Sequence, residues 1–142
     1  MKLSSLQKKQ IVTAIRHAEN KTSGEIRVHL SYSKNEEVSV SHAQAQFEKL
    51  KMHLTKDRNG ILLYINPVMR KFALYGDVGI HTKLSPDYWE NLKNSLRTKI
   101  QETNLVSGIM LAVEELGHQL KDHFPFEKQD QNELKDDVSE SE

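Results

Sequence analysis

The chain has 142 residues, a length that one hydrophobic core can organise and that two domains would share poorly. Its 20 Lys and Arg balance 20 Asp and Glu, and 37% of it is hydrophobic, so it reads as ordinary globular protein without a net field to steer it to nucleic acid or an anionic membrane. The absence of Cys excludes disulfides, thiolate metal sites and a cysteine nucleophile, and fits a reducing compartment.

Ser4 and Gln7 have capping-box spacing, and Leu6, Ile11, Ile15 and Ala18 recur at helical intervals until Thr22-Ser23-Gly24, which predicts a first helix. From Glu25 to Tyr32 the period becomes two, with Ile26, Val28, Leu30 and Tyr32 on one face and Glu25, Arg27, His29 and Ser31 on the other: a strand. Ala43, Phe47, Leu50 and Leu54 then mark an amphipathic helix introduced by Ser39 or Ser41. The turn Thr55-Lys56-Asp57-Arg58-Asn59-Gly60 leads into Ile61-Leu62-Leu63-Tyr64-Ile65, an apolar run too short for a helix and suited to a central strand covered on both faces. Lys71 to Tyr75 returns after Asn66-Pro67 as the second arm of a hairpin, followed by the loop Gly76-Asp77-Val78-Gly79-Ile80.

Ser85-Pro86-Asp87 opens a third helix with the stripe Trp89, Leu92, Leu96 and Ile100. Ile109, Ala112, Val113, Leu116 and Leu120 define a fourth, which Pro125 ends. The expected fold is α/β, an αβα sandwich around a small mixed β-sheet in the order α-β-α-β-β-α-α, with a right-handed parallel strand-helix-strand unit and a third, antiparallel strand. Residues 1–126 form the expected domain. Residues 127–142 carry seven acids against two lysines, and this acidic tail is expected to be disordered because it has almost no apolar area to offset the entropy of ordering it.

No Gly-rich phosphate loop, paired-His metalloprotease motif or Gly-flanked serine is present in the sequence. The chain also has no apolar stretch of signal-peptide or membrane-spanning length, so a cytoplasmic location without a membrane span is expected. The residues that suggest chemistry are Asp57 and Asn59 before the central strand and Gly76 and Asp77 after the third. The segment entering one arm of a hairpin and the segment leaving the other lie at the same end of the sheet, so Asp57 and Asp77 are expected to meet. Two carboxylates, an amide and freed carbonyl oxygens are the hard ligands that calcium or magnesium takes, and Asp87 in the first turn of the third helix is within plausible reach. The plainer reading is that Asp and Asn before Gly are turn residues and that Asp87 complements a helix dipole.

A zinc reading of His118, Asp122 and His123 is weak, because His123 projects from a different helix face. Trp89 and Tyr88 are aromatics that can stack on a ligand, but Trp89 at helical spacing with Leu92 and Leu96 reads as core, and no role follows for His29.

Asp57-Arg58-Asn59-Gly60-Ile61-Leu62-Leu63 resembles the turn-and-strand signature of the TPM domain family, and Gly76-Asp77-Val78-Gly79-Ile80 resembles its glycine loop, here without the commoner aromatic residue. Ser23-Gly24-Glu25-Ile26 resembles the start of its first strand, and His123-Phe124-Pro125 the close of its last helix. The resemblance implies an αβα sandwich with a divalent-cation site at the edge of the sheet, to which Asp87 or Glu25 would contribute directly or through water. The function expected from these residues is a cation-binding interaction or regulatory module, with calcium or magnesium and an unidentified protein as partners. Because some members of that family are acid phosphatases, metal-assisted phosphomonoester hydrolysis is the alternative, with Arg58 or a Lys balancing developing charge.

Overall fold

A computed structural model describes residues 2–125 and 138–141. Helix α1 (Ser5–Glu19) starts at a capping box in which the Ser4 side chain accepts from the Gln7 N–H and the Gln7 side chain accepts from the Ser4 N–H. Strand β1 (Glu25–Ser31) follows, then α2 (Val40–Lys49), N-capped by Ser39. A 3-10 turn at Met52–Leu54 connects to β2 (Gly60–Asn66), which pairs through a short connection with β3 (Lys71–Gly76). The single-turn helix α3 (Val78–His81) precedes α4 (Pro86–Glu102), which Ser85 caps with Pro86 at the first position. Helix α5 (Leu105–His123) is capped by Asn104, and β4 (Val138–Ser141) is the last described element.

The four strands form one mixed sheet in the order β3-β2-β1-β4. β1 and β2 run parallel in register Glu25 with Gly60 through Leu30 with Ile65, joined by the crossover helix α2, and β3 is antiparallel to β2. This is the parallel unit with an antiparallel neighbour that the sequence pattern predicts. The alternation of each strand divides the core. Ile26, Val28, Leu30, Ile61, Leu63, Ile65 and Leu74 pack with the apolar stripes of α1, α4 and α5. On the opposite face, Tyr64 and Ala73 meet Ala43 of α2, and Leu62 meets Phe47 and Met52. The result is three layers. Helices α1 and α5 approach closely at Gly117, where a Cβ would stand 2.7 Å from that of Ala18.

Three elements depart from the sequence reading. The helix expected to carry its apolar stripe through Leu50 to Leu54 ends at Lys49, and Leu54 lies exposed in the 3-10 turn, because the chain turns through a left-handed Lys51 in between. Val78–His81 form a helical turn in place of a loop, because the Asp77 side chain accepts from the Val78 N–H and caps it. Within the tail expected to be disordered, Val138–Ser141 add a fourth strand parallel to β1. Composition averages over a segment, whereas these four residues meet an unpaired sheet edge that satisfies their backbone and buries Val138. The remainder of that expectation, residues 126–137, lies outside the described residues. No helix among the described residues is long and apolar enough to cross a membrane.

Every residue of β2 is buried, and Leu63 is fully enclosed between neighbouring strands and helices. Leu63→Ala is therefore expected to destabilise the fold by about 2 to 5 kcal/mol, read as a lower urea midpoint. An unchanged midpoint with an unchanged slope would displace β2 from the centre of the core.

Candidate metal centre at the turn before β2

The turn before β2 reverses the chain through Arg58, whose φ of 51° is left-handed, with the Arg58 N–H donating to the Thr55 carbonyl. Bulky residues rarely occupy that region, so its cost must be met by contacts made elsewhere. Arg58 makes them with its side chain: Nε and Nη2 donate to Asp77 Oδ2 at 2.6 Å and Oδ1 at 2.8 Å. The fork is asymmetric in exposure, since the Asp77 carboxylate is buried and the Arg58 side chain is 46% exposed. Hydrogen bonding to Asp77 raises the Arg58 guanidinium above its ordinary value. Burial, and secondarily the Asp77 charge, also raises the nearby Tyr75 phenol.

Backbone contacts close the same junction. Asp77 N–H donates to the Gly60 carbonyl and Gly79 N–H donates to that of Arg58. A Cβ on Gly79 would collide with the Asp57 carbonyl oxygen and stand 2.6 Å from that of Arg58, so glycine alone permits this approach. Glu25, buried at the start of β1, donates its N–H to the Asn59 carbonyl and pairs with Gly60. The hairpin, and the parallel pairing of β1 beside it, thus place Asp57, Asn59, Gly76, Asp77 and Glu25 at one end of the sheet. Asp87 is exposed in the first turn of α4 and makes no hydrogen bond or ion pair with this turn among the described residues.

The TPM resemblance implies a divalent cation here, and the donor set fits one in its chemistry. Asn59 is 1% exposed and its Nδ2 donates to Ser23 Oγ, while its Oδ1 is buried without a hydrogen-bond partner, as is Thr55 Oγ1 in the same turn. A buried acceptor left unmatched calls for an occupant such as water or an ion. Asp57 is exposed and makes no hydrogen bond or ion pair among the described residues. No group of three or more His, Asp or Glu suited to a metal occurs among those residues, so a cation here would rely on amide and carbonyl oxygens beside its carboxylates. The zinc reading of α5 finds no such group either: His118 lies 3.8 Å from Glu114, and His123 packs edge-on against Tyr88.

A family model described as TPM domain matches residues 2–119. The chain belongs to the TPM domain family. The BA42 protein of the psychrophilic bacterium Bizionia argentinensis, solved by NMR, is 37% identical over 99% of this chain and 96% of its own, with a TM-score of 0.88. The N-terminal domain of cg2496 from Corynebacterium glutamicum, 13% identical over 84% of this chain and 74% of its own with a TM-score of 0.63, shares the fold. No curated protein matches.

A second polar cluster of this TPM domain escaped the sequence reading. His29, 1% exposed, stacks on Tyr64, and its Nδ1 and Nε2 lie 2.7 Å and 2.8 Å from the hydroxyl oxygens of Ser139 and Ser141. Tyr64 donates to Glu36 Oε2 at 2.8 Å, and Asn66 Nδ2 donates to Glu36 Oε1 at 2.7 Å. Alternation already placed His29 and Ser31 on one face of β1. Nothing in that pattern pointed to serines more than a hundred residues away.

Two stability measurements follow from these clusters. Asp77→Ala removes the helix cap and both acceptors of Arg58, and should cost about 1 to 3 kcal/mol, whereas exposed Asp57→Asn should leave the urea midpoint nearly unchanged. Equal midpoints for the two variants would contradict the buried role of Asp77.

Burial lowers the His29 pKa to about 4 from an ordinary 6.5. Between those values the unfolded chain binds the extra proton, so this contribution is complete above pH 6.5 and is lost as pH falls through 4. It amounts to about 3 kcal/mol at most. His29→Gln should flatten the fall in urea midpoint over that window, and equal slopes in variant and wild type would rule the contribution out.

Proposed function

We propose that this TPM domain binds a hard divalent cation, calcium or magnesium, at the junction of the Thr55-to-Gly60 turn and the Gly76-to-Gly79 segment, and serves as an interaction module whose loops the ion orders. The observation that carries this reading is the buried, unpartnered Asn59 Oδ1 in the same turn as the exposed Asp57 carboxylate. Oxygen donors of these kinds suit calcium in particular, which accepts irregular geometry and mixed carboxylate, amide and carbonyl ligands.

Asp77 is the conditional member of the set. Its carboxylate already has a positive partner, so an incoming ion competes with the Arg58 guanidinium. The exposed Arg58 side chain has room to swing into solvent, where its charge is well hydrated. The junction therefore exchanges one internal cation for an external one, and releasing Arg58 is the means by which ion binding would alter the surface offered to a protein partner. Hydrolysis of a phosphomonoester at this place would require Asp57 to serve as ligand and general base together, two roles with opposed needs for its lone pairs.

Calcium and magnesium titrations followed by amide chemical shifts test the proposal. Saturable shifts are expected at residues 57–60 and 76–79, with Asp57→Asn weakening binding about tenfold, equivalent to about 1.4 kcal/mol. Arg58→Gln should tighten it by removing the competing charge, and binding should fade as pH falls through the carboxylate range. No saturable shift at millimolar ion, or unaltered affinity in Asp57→Asn, would refute the site. Phosphomonoester turnover abolished by both chelation and Asp57→Asn would replace the module with an enzyme.

A further inference from the structure

The outer edge of β1 is closed by four residues from the far end of the chain, and each side chain of that strand is recognised separately. Val138 enters the core between sheet and helices. Ser139 and Ser141 point to the other face, where their hydroxyls meet the two ring nitrogens of His29. Between them, Glu140 accepts from Lys8 Nζ at 2.9 Å and from the Tyr32 hydroxyl at 2.7 Å. The Tyr32 N–H donates to the Ser141 carbonyl, and the register runs Val28 with Val138 through Ser31 with Ser141. A strand that merely covered a sheet edge would need its backbone alone. Here the body provides an apolar socket, two hydroxyl partners and a cationic and phenolic clamp for one carboxylate, in the alternating order of an extended peptide.

We propose that this edge of β1, bounded by α1 and by His29, is a binding groove for an extended acidic peptide of pattern apolar, hydroxyl, carboxylate, hydroxyl, and that Val138–Ser141 is its tethered occupant, displaced by a partner segment of the same chemistry. The charges agree with that ligand. The face of α1 along Val138 and Glu140 carries Lys8, Lys9 and Arg16, while Asp136, Asp137 and Glu142 flank the strand in sequence. The geometry allows the occupant to be its own chain. β1 separates Thr22, which bridges to Pro125, from Val28, which pairs with Val138, by roughly 20 Å, and residues 126–137 can reach about 40 Å when extended. Four residues with a single buried apolar side chain form a short edge strand, and their covalent link to the body adds an effective-concentration advantage to the contacts above. An untethered segment must overcome that advantage, so the groove responds to a partner that is longer, more concentrated or more acidic.

The test uses the full chain and the heptapeptide Asp-Asp-Val-Ser-Glu-Ser-Glu, titrated while the amides of Val28 to Tyr32 are followed by NMR. Val138→Asp should expel the resident strand and bind the peptide about tenfold or more tightly than wild type, since the tethered competitor is removed. The same peptide with Lys in place of its fifth residue, the Glu that matches Glu140, should fail to bind that variant, and adding Lys8→Glu should weaken binding of the original. Near-ultraviolet circular dichroism of Trp89 verifies folding, and Ser139→Pro serves as the displacing variant should Val138→Asp not fold. Equal affinity for wild type and the folded displaced chain, or equal binding of both peptides, would overturn the groove. A concentration-dependent dimer of wild type that dissociates in the displaced variant would overturn the partner segment and assign the groove to strand exchange between two copies of this chain.

Discussion

Strand β2 has no face that meets water. All seven residues from Gly60 to Asn66 are buried, so its backbone donors and acceptors must be satisfied by β1 on one side and β3 on the other, and both faces must be covered by helices. That requirement sets the three-layer arrangement and determines which loops share an end of the sheet. Because β3 returns antiparallel, the turn entering β2 and the segment leaving β3 are held together by the Gly60 and Arg58 carbonyls, with Gly79 permitting the contact. The candidate cation site is therefore a by-product of how the central strand is satisfied.

Electrostatics then differentiates the acids gathered there. Asp77 is buried and acquires a guanidinium and a helix N–H, as a carboxylate taken from water requires. Asp57 stays hydrated and needs no partner. Two residues of one type thus stand in different environments: the Asp57 carboxylate is open to solvent, and that of Asp77 is already held by Arg58. The left-handed backbone at Arg58 belongs to this arrangement, since the turn that aims its side chain at Asp77 also carries Asn59 into the interior.

The two faces of the sheet differ as sharply as its two ends. Toward α1, α4 and α5 the strands present aliphatic side chains, and packing there is continuous. Toward α2 the apolar clusters are small and are interrupted by His29, Tyr64, Asn66 and Glu36, whose hydrogen bonds offset their burial. The outermost part of that network is supplied by β4, so the open edge of β1 and the polar face are completed by one short segment. A closed sheet edge and a satisfied histidine depend on the same four residues.

Local periodicity was sufficient for much of this architecture. The two-residue alternation of β1, the apolar run of β2, the capping residues Ser4, Ser39 and Ser85 and the proline after α5 act within a few positions, so they were legible in sequence and stand in the structure as read. The hairpin rule likewise foresaw that the turn entering β2 and the segment leaving β3 lie at one end of the sheet, where Arg58 rather than Asp57 meets Asp77, and motif order foresaw the TPM family. Their different environments were not legible: that Asp77 is buried against Arg58, that the exposed Asp87 makes no hydrogen bond or ion pair to the turn, and that Asn59 Oδ1 lacks a partner depend on side-chain directions fixed by neighbours distant in sequence. Composition alone also misread Val138–Ser141, because the unpaired edge and the His29 ring that order them come into being only when β1 is folded. Sequence by itself determined which segments become helix and strand and which residues face alike, since those depend on backbone period and local capping. Tertiary structure decided which polar groups are paired, which remain accessible and where Val138–Ser141 lie, since burial and charge pairing exist only between surfaces that folding has brought together.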